Sequence, residues 1–393
     1  MQAATIMTDH SARQNQIQLM LFGLVVAYAA LLLSTFFMGI WLVGRGGQPV
    51  AADFISFWAA GKLVLQGHAA DAYDWAIHKN VAMREAGTAF GGRFTFQYPP
   101  TFLVVTPLLG LMPYPLALLA WMAFGVALYL VAVRLIHGNW NATIAALAWP
   151  AVLWNMVVGQ NGFVIAALLG GGVALIERRP AIAGILFGLL TFKPQFGLLI
   201  PVALIAGGHW RVIGFAALSA VTLAAASAAI LGSGPWIAFI ESALRINDAI
   251  LVEGGTDFSK LQSLYGYLRS LGFGGSAAWS MQGLLILLLG GLVAWLWRRD
   301  TAFGVRAAAL ATATILASPY SFIYDFVALA IPLVFLGRCG FSRNEMAILV
   351  MAGLLVGWGP SSHLATALVA SLLVMGLVVG RALAGAATPA TAG

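Results

Sequence analysis

From Ile17 to Leu383 apolar runs follow one another with few charged residues inside them, and that pattern suits a lipid bilayer and little else. A helix needs about 20 residues to cross the hydrocarbon. Runs 19–43, 115–136, 212–232, 279–297 and 363–383 reach that length. Shorter ones lie at 99–112, 142–157, 162–177, 181–192, 195–207, 303–317, 322–337 and 345–358. At 12–16 residues these would span only about 18–24 Å, so they should stop short of one face, around a cavity where irregular backbone is solvated. The prediction is an all-α polytopic membrane protein with about 11–13 transmembrane helices, several of them short or broken.

Composition agrees. Only 8% of the residues are charged, against about 25% in water-soluble domains. The net charge of +7 falls between the apolar spans, so it reports orientation and not a nucleic-acid surface. One cysteine, Cys339, excludes an intramolecular disulfide. The run from Ile17 to Val43 is too long for a cleavable signal and reads as a first transmembrane helix. No soluble domain or convincing repeat interrupts the chain, so residues 1–393 are expected to form a single transmembrane domain.

The basic residues choose the orientation. Arg134, Arg178, Arg179, Arg211, Arg298, Arg299, Arg338, Arg343 and Arg381 all become cytoplasmic under one threading, if 99–137 crosses once in net. GQNG (159–162), TFKPQ (191–195), SPYSFIYD (318–325) and GPSSH (359–363) then share the outer face with two long loops, 44–98 and 233–278. Within the first loop, 53–66 and 73–85 repeat apolar residues at helical spacing, the second with Asp71 placed as its cap. Both would lie in the interface plane, with Trp58 and Trp75 at headgroup depth.

The polar residues gathered at that face carry the chemistry. The segments ADFISFWAAGKLVLQGHAADAYD (52–74), FQYPPTFLVVTPLLGLMPYPLALLAW (96–121), GQNGFVIAALL (159–169), ERRPAIAGILFGLLTFKPQFGLLIPVALI (177–205) and SPYSFIYDFVALAIPL (318–333) together resemble glycosyltransferase family 87. The resemblance covers roughly residues 17–335 and rests on five weak motifs in the right order. It implies the C-type glycosyltransferase fold, a polyprenyl-phosphate sugar donor and a glycan or glycolipid acceptor. It also implies a multi-pass protein of the bacterial inner membrane, active at its periplasmic face. The sugar is mannose by likeness to better-known members, with arabinofuranose open.

In that fold an acidic residue just beyond the first transmembrane helix is the catalytic base, and Asp53 occupies the place. An acceptor hydroxyl attacking an anomeric carbon must lose a proton, and a carboxylate within reach can take it. Asp53 can equally cap the helix starting at Phe54. The leaving phosphate needs positive charge, for which Lys193, before Pro194 in an apolar stretch, is the first candidate, with Lys62 and Arg93 behind it. Lys193 could also merely snorkel to the headgroups. Gln160 and Asn161 either contact sugar or cap broken helix ends. Tyr320, Tyr324 and Asp325 could line the same cavity, Asp325 otherwise serving as partner to a tyrosine or a helix amide.

No metal or other cofactor is expected. Asp248, Glu253 and Asp257 match no calcium loop, and the histidines at 10, 68, 78, 137, 209 and 363 have no ligand spacing. The competing reading from another class is a secondary transporter or lipid flippase, which places its broken helices near the midplane of two related halves. Here they gather at one face. A non-catalytic scaffold leaves Asp53 and Lys193 unexplained.

Overall fold

A computed structural model describes residues 2–91, 94–251, 258–362 and 364–387. These form helices throughout, with no strand beyond two isolated bridges, Val43 with Pro49 and Leu261 with Phe322. Five helices are long and apolar enough to span a membrane: Asn15–Phe37, Tyr114–Ile136, Trp210–Leu231, Gly275–Arg298 and Thr366–Ala384. Trp140–Leu147 and Pro150–Val158 together are long and apolar enough for a sixth, but they meet at 57°. Pro150 explains the bend, since it supplies no amide to continue the ladder and its ring crowds the carbonyl four residues back. Seven shorter apolar helices of 10–17 residues complete the set among the described residues. The chain is therefore an all-α polytopic membrane protein.

The short helices build the core together with Tyr114–Ile136 and Thr366–Ala384, whose spans are 44% and 50% buried. Asn15–Phe37 has no buried share and Trp210–Leu231 only 6%, so both lie at the outside, the second packed along one face on Gly184 and Gly188. By contrast Gly162–Leu175 is buried along most of its length, and Phe303–Ala317 from Ala307 onward. Small residues at Ala307, Ala308, Ala309, Ala311 and Ala313 let neighbouring backbones approach.

Three expectations need correction. The first helix ends at Phe37, before Gly39 turns left-handed at φ +71°, so 38–43 is not part of the span. The helix Trp75–Ala86 is capped by Asp74, whose Oδ1 accepts from Ala76 N at 2.9 Å and Ile77 N at 3.0 Å. Asp71 sits instead in the 3-10 turn Ala69–Tyr73, which leaves Asp74 at the start of the helix. Finally, Ile55–Leu65 does not present Trp58 to the headgroups, because protein covers the helix. Eight of its eleven residues are buried, and Trp58 donates its indole N–H to Met112 O at 2.9 Å. Phe57 explains why: it packs on Tyr98, Phe102 and Trp121, an aromatic pocket that the following segment brings over the helix. Trp75 does stay exposed.

Close approach of backbones fixes this helix. A methyl group on Gly61 would strike the Thr106 carbonyl, and one on Gly110 would lie 2.7 Å from the Gly61 carbonyl carbon. Backbone cannot give way as a side chain can. Gly61→Ala should therefore lower stability in detergent by about 1–3 kcal/mol or prevent folding. Gly23→Ala, on the lipid-facing helix with open space around it, should leave the melting temperature unchanged. Equal melting temperatures for the two variants in a thermal-shift assay would refute the tight crossing.

Candidate active site

Asp53 follows an extended segment that the core holds at both ends. Ala52 N donates to the Tyr114 hydroxyl at 3.1 Å, and Phe54 N to Val158 O at 3.0 Å. Phe54 is fully buried and is itself the N-cap residue of Ile55–Leu65, with no side-chain cap. The Asp53 carboxylate is thus not used for capping. Only its backbone carbonyl serves the helix, accepting from Ser56 Oγ at 2.8 Å. The half-buried carboxylate takes a hydrogen bond from Gln160. Burial pushes its pKa up to about 6, although that bond and the cations Lys260 and Lys193 pull the other way.

GQNG is the hinge around which the site is built. Gly159 closes Pro150–Val158 in the left-handed region at φ +72°, and a methyl there would lie 2.6 Å from Phe54 Cβ. A methyl on Gly162 would strike the Tyr324 carbonyl. The two glycines let the Asp53 and Asp325 segments approach the same break from two sides. Gly162 N is capped by Asn155 Oδ1 at 3.0 Å, which frees Asn161 from that task. Gln160 Oε1 accepts from the Tyr98 hydroxyl at 3.2 Å and from Asn161 N at 3.3 Å. Its amide nitrogen is left to face Asp53.

Lys193 lies between two 3-10 turns, Leu190–Phe192 and Pro194–Gly197, where Pro194 stops the preceding helix from running on. Its ammonium donates to Asp325 Oδ1 at 2.5 Å and to Asn161 Oδ1 at 3.4 Å, and stands 5.3 Å from the rings of Phe196 and Tyr324. It is 6% exposed and Asp325 is fully buried. The other Asp325 oxygen accepts from Phe322 N at 3.0 Å, closing the 3-10 helix Ile323–Leu329. Asp325 therefore has a helix amide and a cation as partners.

Asp53, Gln160, Asn161, Lys193, Tyr324 and Asp325 thus form one cluster. Other candidates stand apart from it. Lys62 pairs with Glu85 at 3.9 Å and lies over the Trp58 ring. Seven residues of helical rise put it about 10 Å along the axis from the start of Ile55–Leu65. Tyr320 packs edge-on to Tyr265 and Trp279. Arg93, Glu253 and Asp257 lie outside the described residues, as does the side chain of Asp248. No group of three metal-ligating side chains occurs among the described residues.

Three residues join the cluster without having been singled out. Tyr98 orients Gln160; its place before two prolines in FQYPP was a signal, since Pro99 and Pro100 fix the backbone beside it. Asn155 caps across the break, and only its spacing of seven from Gly162 hinted at this. Lys260, on the second loop, acts on Asp53 across long sequence separation and left no local trace.

No curated protein and no solved structure matches the chain. The sequence model of glycosyltransferase family 87 matches residues 96–319. That stretch carries Tyr98, Gln160, Asn161, Lys193 and Lys260; Asp325 lies six residues past its end, and Asp53 lies outside it, 43 residues before its start. It covers more than half of the 393 residues, and with the spans described above it makes the chain a member of glycosyltransferase family 87, a membrane glycosyltransferase.

Proposed function

We propose that this glycosyltransferase moves one sugar, a hexose such as mannose or a pentose, from a polyprenyl phosphate to a glycan or glycolipid acceptor. In this reading it has the C-type fold and works at the periplasmic face of the bacterial inner membrane. One observation carries the proposal. The Asp53 carboxylate, unused as a cap, faces the polar cluster and holds its proton up to about pH 6. A base with that affinity is ionised at neutral pH yet takes a proton readily.

In the proposed step the acceptor oxygen attacks the anomeric carbon and its proton passes to the Asp53 carboxylate. The bond from that carbon to the phosphate oxygen breaks, and the polyprenyl phosphate leaves with the electron pair. A single displacement inverts the configuration. Gln160, anchored by Tyr98, holds Asp53 in place, and Tyr324 offers an aromatic face beside Lys193. Lys193 can offer the donor phosphate a hydrogen bond, but its charge is already balanced by Asp325. The orientation has support in the helix ends. Gly162–Leu175 begins at the cluster and runs toward Arg178 and Arg179, the basic residues expected inside.

Asp53→Asn should lower transfer from polyprenyl-phosphate mannose by about 10²–10⁴-fold in detergent. The same variant should melt higher at neutral pH. A folded-state pKa above the unfolded value means that stability is lost as pH rises through about 6, and the amide escapes that loss. In the wild type kcat/KM should fall about tenfold per unit below pH 6. A rate flat down to pH 5, or Asp53→Asn with a tenth of the activity, would move the base elsewhere.

Lys193→Ala leaves Asp325 buried and unpaired and should cost about 3–5 kcal/mol. The double variant Lys193→Met, Asp325→Leu should recover most of that stability. Should the double variant melt as low as Lys193→Ala, the ion pair is not what Lys193 contributes.

A further inference from the structure

With Asp53 ionised, the buried part of the cluster holds two carboxylates, Asp53 and Asp325, against one ammonium, Lys193. A phosphate brought into it would meet net negative charge. Some other cation has to face the donor.

The second outer loop supplies one. Lys260 ends the 3-10 turn Phe258–Lys260 and is exposed, with no carboxylate within 4.0 Å among the described residues. Its position is set on both sides. Phe258 packs edge-on to Tyr265 and lies 4.7 Å under the Arg269 guanidinium. Leu261 bridges Phe322, and Gln262 N donates to Ser321 O at 2.7 Å. The Gln262 side chain then clamps the last helix, accepting from Ala367 N at 3.1 Å and donating to Leu364 O at 3.2 Å. Ser263 Oγ donates to Pro319 O. The loop is thereby fastened to the 318–325 segment that leads to Asp325, and the Lys260 ammonium is within electrostatic reach of Asp53.

We infer that Lys260, held by the Leu261–Phe322 bridge and the Gln262 clamp, is the cation that receives the donor's phosphate, opposite the Lys193–Asp325 pair. This rests on the polyprenyl-phosphate reading of the site. An exposed ammonium with no carboxylate partner among the described residues can meet a headgroup arriving from the lipid, whereas Lys193 would first have to leave a carboxylate. As the phosphate leaves, its growing charge falls on a group that no described carboxylate neutralises.

The test pairs binding with transfer in protein reconstituted into nanodiscs. Binding of a short-chain polyprenyl phosphate is measured for the wild type, Lys260→Ala, Lys260→Arg and the charge control Lys79→Ala. Lys260→Ala should weaken binding and raise the donor KM by about tenfold to a hundredfold, with the acceptor KM unchanged. Lys260→Arg should restore most of both, and Lys79→Ala should match the wild type. Unchanged binding by Lys260→Ala, with a loss of rate explained by a higher acid limb alone, would make Lys260 a tuner of Asp53 and overturn the inference while leaving the donor class intact. Wild type that neither binds the lipid phosphate nor transfers from it would remove the donor class and this inference together.

Discussion

Lys193 and Asp325 lie 132 residues apart in the chain and meet in a space that excludes water almost completely. Either charge alone in such surroundings is prohibitive, and together they need further hydrogen bonds to be tolerated. Those bonds come from Asn161 and from the Phe322 amide. The pair therefore requires three interruptions of helical structure to meet at one point. These are the GQNG break, the 3-10 turns around Lys193 and the 3-10 helix carrying Asp325. Short helices follow from that requirement, because each must stop where its polar residue has to face the others.

Asp53 enters this arrangement from a different direction. Its segment is tied to Val158, immediately before the GQNG break, and Gly159 is the residue that lets Phe54 approach. Asp53 and the ion pair are thus placed by the same four residues, with Gln160 turned to Asp53 and Asn161 to Lys193. The ion pair consumes the charge of the one cation inside the cluster, which shifts attention to the loop above it. Family 87 membership gives the class of reaction; the electrostatic balance of the cluster suggests which side chains meet which part of the donor.

Much of this was legible in the residues, and what was not has physical reasons. Long apolar runs with caps and prolines marked the spans to within a few residues, because lipid leaves a helix few alternatives. Lys193 stood out as a charge in an apolar stretch, where charges are costly, and Asp53 by its place beyond the first helix in the family it resembles. Their partners did not, since a contact between residues 193 and 325 has no signature in either neighbourhood. The segment Ile55–Leu65 misled for a related reason. Its apolar stripe says that it must be covered, not whether lipid or protein covers it, and here Tyr98, Phe102 and Trp121 do so. Lys62 read as a candidate because it is a cation near Asp53 in sequence, while helical rise carries it away. Lys260 is distant in sequence and close in space.

The most direct test of the account is an experimental structure of the protein with a polyprenyl-phosphate sugar bound. The account predicts the anomeric carbon beside the Asp53 carboxylate, with room for one hydroxyl oxygen between them, and the phosphate on the far side of that carbon, toward Lys260 and the Lys193–Asp325 pair. A donor whose anomeric carbon lies nearer another carboxylate, or whose phosphate sits away from both lysines, would contradict it.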